Sequence, residues 1–251
     1  MKILGVIPAR YGSTRFPGKP LADILGKPMI WWVYQQAKKA KKLTDLVVAT
    51  DDKRITDACD QYKIPWIMTQ EQPNCFHRLH EISQRIESDK YLLINGDEPL
   101  IETEVIEEII DEVILKNPNH LIVYKSFNDP VDVIDTGNIK IAVSNNKLIY
   151  LSRSPIPFPH KSLNFEYNKI IGLQVFSAEA LNFFVATKEG FLEKIEDIAE
   201  LRWVENHKIV TCKKVSSDSL SVDTPKDLEK IVKIIRTKLE NNQLLDIKAL
   251  L

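Results

Sequence analysis

The chain has 251 residues, of which 44% are hydrophobic, enough to bury the core of one large α/β domain. Its 34 basic and 35 acidic residues nearly cancel and are spread along the chain, which disfavours nucleic acid as a partner. No apolar run approaches the roughly 20 residues of a membrane span, and three widely spaced cysteines suit reduced thiols. We therefore expect a single cytoplasmic domain over residues 1–251, with no membrane partner.

The first half of the chain alternates short apolar segments with amphipathic ones, which is typical of parallel βαβ units. The predicted strands are 3–7, 46–49, 91–94 and 121–124, and the predicted helices are 29–41, 53–62, 78–87 and 104–115. Asp51 or Asp52 is expected to cap the second helix, and Thr103 the fourth. The pattern predicts an α/β fold with a mostly parallel sheet covered by helices.

The second half begins with antiparallel features. Segments 139–143 and 147–151 flank an Asn-rich turn, which predicts a hairpin. Further along, the pattern predicts a strand at 169–176, a helix at 192–205, a strand at 209–215 and a helix at 225–239. We expect a small antiparallel lobe, at about residues 128–180, to be inserted into the main domain.

The loop after the first strand is rich in glycine, hydroxyl groups and positive charge. It reads Pro8-Ala9-Arg10-Tyr11-Gly12-Ser13-Thr14-Arg15-Phe16-Pro17-Gly18-Lys19-Pro20. Three cationic side chains can pair with phosphate, the glycines let backbone amides approach an oxyanion, and the hydroxyls add small donors. Because open α/β sheets bind ligands at the carboxyl ends of their strands, the loop predicts a nucleoside triphosphate site.

Two other interpretations of this loop are weaker. A P-loop requires four residues between its glycines and a hydroxyl after its lysine, but five residues lie between Gly12 and Gly18, and Lys19 is followed by Pro20. A surface loop that binds nothing would not need three cations in ten residues. A P-loop NTPase is therefore disfavoured.

Two aspartates follow extended segments and are candidate metal ligands. Asp97 lies in Asn95-Gly96-Asp97-Glu98-Pro99, and Asp223 lies in Ser221-Val222-Asp223-Thr224-Pro225. Mg²⁺ bound to a nucleotide typically takes one or two protein carboxylates and completes its shell with phosphate and water. The alternative is that Asp97 stabilises a turn and that Asp223 or Thr224 only caps the next helix.

Five motifs together resemble those of the 3-deoxy-manno-octulosonate cytidylyltransferase family. They are Ile7-Pro8-Ala9-Arg10-Tyr11-Gly12-Ser13-Thr14-Arg15-Phe16-Pro17-Gly18-Lys19-Pro20-Leu21-Ala22, Val48-Ala49-Thr50-Asp51-Asp52, Gly96-Asp97-Glu98-Pro99-Leu100-Ile101, Ser152-Arg153-Ser154-Pro155-Ile156-Pro157 and Val222-Asp223-Thr224-Pro225. The resemblance covers nearly the whole chain. It implies a Rossmann-like nucleotidyltransferase fold, CMP transfer from CTP to a sugar acid for surface polysaccharide, Mg²⁺ as cofactor, and a homodimer built partly on the inserted lobe.

The resemblance also implies roles for individual residues. The expected nucleotide-binding residues are Pro8, Ala9, Arg10, Ser13, Arg15, Lys19 and Asn95. The expected catalytic residues are Arg10, Lys19, Asp97 and Asp223, of which the two aspartates bind the metal. For a small acidic acceptor we expect His77, Arg78, Arg153, Lys169, Glu196 and Arg202.

The sequence departs from the family where the acceptor is expected. Ser-Gly-Thr-Asp-Arg is replaced by Asn74-Cys75-Phe76-His77-Arg78, Lys-His-Ile-Gly by Lys169-Ile170-Ile171-Gly172, and Glu-Gln-Leu-Arg by Ala199-Glu200-Leu201-Arg202. The same chemistry on another acceptor, such as an amino-substituted sugar acid, is therefore one alternative. A nucleotide-binding protein without turnover is a second. Cys75, His77 and His80 also leave open a zinc site, for which a fourth ligand is missing.

Overall fold

The computed structural model describes residues 1–12, 16–161 and 165–251. Its strands are β1 (Ile3–Ala9), β2 (Asp23–Ile24), β3 (Lys27–Pro28), β4 (Asp45–Thr50), β5 (Trp66–Met68), β6 (Lys90–Ile94), β7 (His120–Ser126), β8 (Lys140–Ser144), β9 (Lys147–Ser152), β10 (Asn168–Phe176) and β11 (Thr211–Lys214). Its α-helices are α1 (Met29–Ala37), α2 (Lys53–Gln61), α3 (Cys75–Ser83), α4 (Thr103–Lys116), α5 (Ala178–Ala186), α6 (Phe191–Glu196), α7 (Leu201–Glu205), α8 (Pro225–Glu240) and α9 (Leu245–Lys248).

Within the described residues, nine strands form one mixed sheet in the order β5-β4-β1-β6-β10-β7-β11-β9-β8. The pairs β4–β5, β1–β4, β1–β6 and β7–β11 are parallel, as the alternating pattern predicts. Strand β10 runs antiparallel to both of its neighbours, β6 and β7. Helices cover both faces of the sheet, and each face has its own apolar core.

The antiparallel hairpin of β8 and β9 is confirmed, and its turn residues Asn145 and Asn146 have the positive φ angles that asparagine tolerates. The hairpin extends the edge of the main sheet. Strand β10, which falls within the segment predicted as an inserted lobe, lies instead at the centre of that sheet. A strand's own residues show its period but not its partners, so the sequence did not reveal this central position.

Several predicted boundaries were wrong. The segment 192–205 forms two helices because Asp197 adopts a left-handed conformation that ends α6. Thr103 does not cap α4; its hydroxyl donates to the carbonyl oxygen of Gln36. Helix α3 begins at Cys75 because the side chain of Asn74 accepts hydrogen bonds from two amides of its first turn. Asp52 does cap α2, as expected.

The topology gathers several loops at one edge of the sheet. Parallel strands β1 and β6 end there, and the amide of Asn95, just after β6, donates to the carbonyl oxygen of Gly172 in β10. In the antiparallel register of β7 and β10, Lys125, near the end of β7, lies opposite Lys169, at the start of β10. None of the helices in the described part of the chain is long and apolar enough to cross a bilayer.

Candidate active site

A cavity of about 360 Å³ opens at this edge of the sheet. The ends of β1 and β6, the first turn of α3 and the segment around Lys19 form its walls. The predicted nucleotide residues that line it are Pro8, Ala9, Arg10, Lys19 and Asn95. Ser13 and Arg15 lie outside the described residues. The structure therefore brings together five of the seven nucleotide-binding residues that the sequence predicts.

Lys19 joins the two predicted metal ligands. Its Nζ lies 2.6 Å from Oδ2 of Asp97 and 3.5 Å from Oδ1 of Asp223. Gly18 precedes it with φ of 71°, a left-handed conformation that allows the chain to turn into a short 3-10 helix at Lys19–Leu21. The amide of Val222 donates to the carbonyl oxygen of Asp97, which holds the two aspartate segments side by side.

The cap of α8 is Thr224, whose hydroxyl accepts from the amide of Asp227. The carboxylate of Asp227 in turn accepts from the amide of Asp223. Asp223 therefore does not cap the helix, and its own carboxylate is directed toward Lys19. The interpretation of Asp223 as only a helix cap is wrong.

The arrangement fits a divalent cation. Oδ1 of Asp97 is buried and receives no hydrogen bond from any described residue, although a buried carboxylate oxygen normally has a partner. The carboxylates of Asp97 and Asp223 both face the ammonium group of Lys19, so they lie on the same side of the cavity. The described residues contain no cluster of three or more His, Cys, Asp or Glu that could hold a metal. An ion bound here would need further ligands, such as phosphate oxygens and water.

Glu98 links three segments behind these aspartates. It is buried, and its Oε1 accepts from the amide of Gly172 at 2.7 Å while its Oε2 accepts from the hydroxyl of Ser219 at 2.8 Å. Lys125 donates to the carbonyl oxygens of Ser217 and Ser219. Burial raises the pKa of Glu98 and lowers that of Lys125. These bonds fix the backbone that leads into the second aspartate.

A second cavity, of about 240 Å³, adjoins the first and shares Cys75, Asn95, Asp97 and Asp223 with it. Lys169, predicted for the acceptor, lines this cavity, and its Nζ donates to Oδ1 of Asn138 at 2.9 Å. Burial lowers the pKa of Lys169. The polar residues that line it and that the sequence did not single out as site residues include Lys125, Gln174 and Glu200. Lys125 and Gln174 lie in the neighbouring strands β7 and β10, and Glu200 lies just before α7. The three residues meet at one cavity because β10 lies at the centre of the sheet.

Arg78 and His77 occupy different surroundings. Arg78 lines the first cavity, beside the nucleotide residues, and its guanidinium pairs with Asp51 at 2.7 Å and donates to the hydroxyl of Thr69. His77 faces away, with its ring edge-on to Phe184. Burial lowers the pKa of His77.

The other three predicted acceptor residues do not line either cavity as the described residues define them. Arg153 donates to the carbonyl oxygens of Glu196, Thr136 and Asp197, and the carboxylate of Glu196 accepts from Ser152 and the amide of Arg153. Arg202 is buried and pairs with Glu193. These long polar side chains hold α6 and α7 in place, so the structure does not bring them to the site.

The cysteines do not supply a nucleophile. Burial raises the pKa of Cys59, Cys75 and Cys212 to about 12, although Cys75 borders both cavities. A shift of three pKa units lowers the thiolate fraction, and with it the rate of alkylation, by roughly a thousandfold. We expect a disulfide reagent at pH 8 to titrate almost no thiols in the native protein and all three after unfolding. Rapid reaction of one native thiol would contradict this expectation.

Comparison with known proteins agrees with this site. A family model described as cytidylyltransferase matches residues 4–247. The 3-deoxy-manno-octulosonate cytidylyltransferase of Thermodesulfovibrio yellowstonii is 37% identical over 256 residues, covering 94% of this chain and 99% of the relative. The 8-amino-3,8-dideoxy-manno-octulosonate cytidylyltransferase of Shewanella sp. (strain W3-18-1) is 36% identical over 241 residues, covering 92% of this chain and 97% of the relative.

A solved structure is also similar. CMP:2-keto-3-deoxy-manno-octonic acid synthetase complexed with CTP has a TM-score of 0.89 to this chain at 30% identity, covering 95% of this chain and 100% of the other. The expected nucleotidyltransferase fold is therefore confirmed. Because the similarity extends over nearly the whole sequence, the chain belongs to the family of the 3-deoxy-manno-octulosonate cytidylyltransferases.

Proposed function

We propose that the protein transfers CMP from CTP to a sugar acid of the 3-deoxy-octulosonate type and releases pyrophosphate. The observation that carries the proposal is the convergence of Lys19, Asp97 and Asp223 on one point at the cavity. A cation for phosphate and two carboxylates for a metal are the two halves of a metal–nucleotide site. The relatives, named as cytidylyltransferases of two such sugar acids, support the same chemistry.

In the proposed reaction, a hydroxyl oxygen of the acceptor attacks the α-phosphorus of CTP. The new P–O bond forms as the bond between the α-phosphorus and the bridging oxygen breaks, pyrophosphate leaves, and the hydroxyl proton passes to solvent. Arg10 and Lys19 donate to phosphate oxygens and stabilise the negative charge that develops on the leaving group. Asp97 and Asp223 would hold Mg²⁺, which supplies Lewis-acid stabilisation of that charge when bound.

Each of the two substrates binds in its own cavity. The first is lined by the nucleotide residues and takes CTP, and the second, with Lys169, takes the acidic acceptor. Since both cavities include Asp97 and Asp223, the α-phosphate lies where they meet. This division supports direct attack of the acceptor hydroxyl on the α-phosphate.

Pyrophosphate release tests the proposal. We expect release from CTP in the presence of a 3-deoxy-octulosonate acceptor, much slower release from UTP, and none after Mg²⁺ is removed with a chelator. Tight binding of CTP without release for any acceptor of a broad panel of sugar acids would instead indicate a nucleotide-binding protein without turnover.

Loss of the hydrogen bond between Ser219 and Glu98 is expected to weaken metal binding. Ser219→Ala removes the hydroxyl that donates to Glu98, which loosens the segment leading to Asp223. Replacing a residue that orients a metal ligand typically lowers metal affinity about tenfold or more. We expect the Mg²⁺ concentration for half-maximal activity, and the dissociation constant of Mn²⁺ measured by electron paramagnetic resonance with CTP present, to rise by about that factor. Ser88→Ala, which removes a partly buried hydroxyl that lines neither cavity, serves as the control, and equal Mn²⁺ affinity in both variants would contradict the prediction.

We also propose a homodimer. Four exposed apolar side chains lie on or beside α6, β9 and β11: Ile149, Phe191, Ile195 and Ile209. The bond from Ser152 to Glu196 brings α6 against β9, and the bond from the amide of Leu148 to the carbonyl of Val210 joins β9 to the start of β11. A second copy of the chain would remove this surface from water. By analytical ultracentrifugation, we expect Phe191→Asp to yield monomers and Leu115→Asp, on the exposed face of α4, to remain dimeric.

We propose the cytoplasm as the site of action and an activated sugar acid for surface polysaccharide as the product. The cysteines, all free, support a reducing compartment. Recovery of the protein and its activity in the cytoplasmic fraction of the native cell would agree with this proposal, and recovery outside that fraction would not.

A further inference from the structure

Glu200 is a buried carboxylate on the wall of the second cavity. Its side chain is only 7% exposed, and it lines the cavity together with Lys169 and Asp97. No cationic side chain among the described residues forms an ion pair with it, in contrast to Glu193, which pairs with Arg202. Burying a charged carboxylate without a counter-ion is costly, and burial raises the pKa of Glu200 accordingly. A buried carboxylate that lines a cavity and has no ion-pair partner indicates a ligand that neutralises its charge.

A chain of hydrogen bonds orients Glu200 without neutralising it. The amide nitrogen Nε2 of Gln174 donates to Oε1 of Glu200 at 2.6 Å, so Oε1 of Gln174 accepts from Nε2 of His120 at 3.0 Å. Burial lowers the pKa of His120 to about 3, so its ring is neutral at physiological pH and carries its proton on Nε2. The side chain that donates to Glu200 is thus a neutral amide, and among the described residues the nearby Arg153 pairs with Asp197 and not with Glu200.

The cavity also contains a positive group at some distance from Glu200. Lys169 lies five residues before Gln174 on the same strand, which corresponds to roughly 15 Å of extended backbone. Lys169 uses one donor on Asn138, which leaves its remaining N–H groups available to an acceptor carboxylate. Among the charged residues that line the cavity, Lys169 and Glu200 are therefore a cation and an anion that lie apart from each other.

We propose that Glu200 selects an acceptor with an ammonium group at the end opposite its carboxylate, that is, an amino-substituted sugar acid. This inference rests on the proposed transfer of CMP. An ammonium donates a charge-assisted hydrogen bond and neutralises the buried carboxylate, whereas a hydroxyl at the same place leaves that charge uncompensated. A difference of one charge-assisted bond corresponds to a preference of about 10- to 100-fold.

Matched acceptors test the inference on the unmodified protein. We expect kcat/KM for pyrophosphate release with CTP to be about 10- to 100-fold higher for 8-amino-3,8-dideoxy-manno-octulosonate than for 3-deoxy-manno-octulosonate. N-acetylation of the amino compound, which removes its charge, is expected to abolish the preference. An equal or higher value for the hydroxyl compound would overturn the inference and leave the proposed function intact. Absence of turnover with every sugar acid would overturn both the inference and the proposed function.

A variant locates the preference at Glu200. Glu200→Gln keeps the shape of the side chain and removes its charge, so the ratio of the two kcat/KM values is expected to fall to near one, through KM of the amino acceptor. Glu179→Gln, which removes a charge from the exposed start of α5, is expected to keep the original ratio. The melting temperature and the dissociation constant of CTP report whether Glu200→Gln folds. A folded Glu200→Gln variant that retains the full preference would also overturn the inference.

Discussion

Replacing Asp97 with asparagine is expected to lower kcat/KM for pyrophosphate release by about 100- to 1000-fold. The amide is nearly the same size as the carboxylate, but it removes the negative charge that faces Lys19 and the buried Oδ1 that is available to a metal. Because the loss falls on stabilisation of the transition state, we expect kcat to decline far more than the affinity for CTP. Initial rates at several Mg²⁺ concentrations, together with calorimetric titration of CTP, measure the two effects separately.

A surface aspartate provides the matched control. Asp57 forms an exposed ion pair with Lys53 one helical turn away, so Asp57→Asn removes the same charge at a place remote from the cavities. We expect this variant to retain the parent rate. If Asp97→Asn also retained it, Asp97 would not be a metal ligand and the proposed mechanism would fail.

The comparison of Asp97 with Lys125 shows what the sequence can predict about the site. Asp97 lies three residues after β6, Lys19 directly follows Gly18, and Asp223 directly precedes the capped start of α8. These local signals already indicate the edge of the sheet where ligands bind. Lys125, Gln174 and Glu200 lie within or beside central elements, where a polar residue gives no local signal of a cavity. Their contribution became visible only when β10 was placed between β6 and β7.

The fold shows the same division. Hydrophobic periodicity and helix-capping residues predicted most strands and helices of the first half of the chain, because both signals depend only on the local sequence. The break between α6 and α7 escaped prediction, since it depends on a left-handed Asp197, and asparagine or aspartate residues take this conformation only in some contexts. The central position of β10 escaped as well, because the residues of a strand do not show which strands it pairs with.

Arg202 illustrates why a charged residue near an expected motif need not bind substrate. The sequence suggested it as a partner for the acceptor carboxylate. In the structure, its Nε and Nη2 donate to both carboxylate oxygens of Glu193 at 2.7 and 2.5 Å, and its Nη1 donates to the carbonyl oxygens of Phe184 and Thr187. These bonds use its donors to join α5, α6 and α7.

Replacing Arg202 with methionine is accordingly expected to lower the free energy of unfolding by about 3–5 kcal/mol. Arg202 and Glu193 are each 4% exposed, so the variant leaves a buried carboxylate without a counter-ion and removes the guanidinium donor from two carbonyl groups. The destabilisation is therefore far larger than for an exposed ion pair, and replacing Lys53 with methionine is expected to leave stability nearly unchanged. Denaturant unfolding followed by circular dichroism measures both values.

A double replacement shows whether the unpaired charge of Glu193 causes the destabilisation in Arg202→Met. Adding Glu193→Leu to Arg202→Met removes the uncompensated charge, so the pair of changes is expected to cost less than the sum of the two single changes. Additive costs would show that the ion pair is not the source of the loss. If Arg202→Met instead unfolded like the parent and raised only KM of the acceptor, Arg202 would be a substrate-binding residue, because a side chain that stabilises the packing of α6 and α7 cannot be removed without loss of stability.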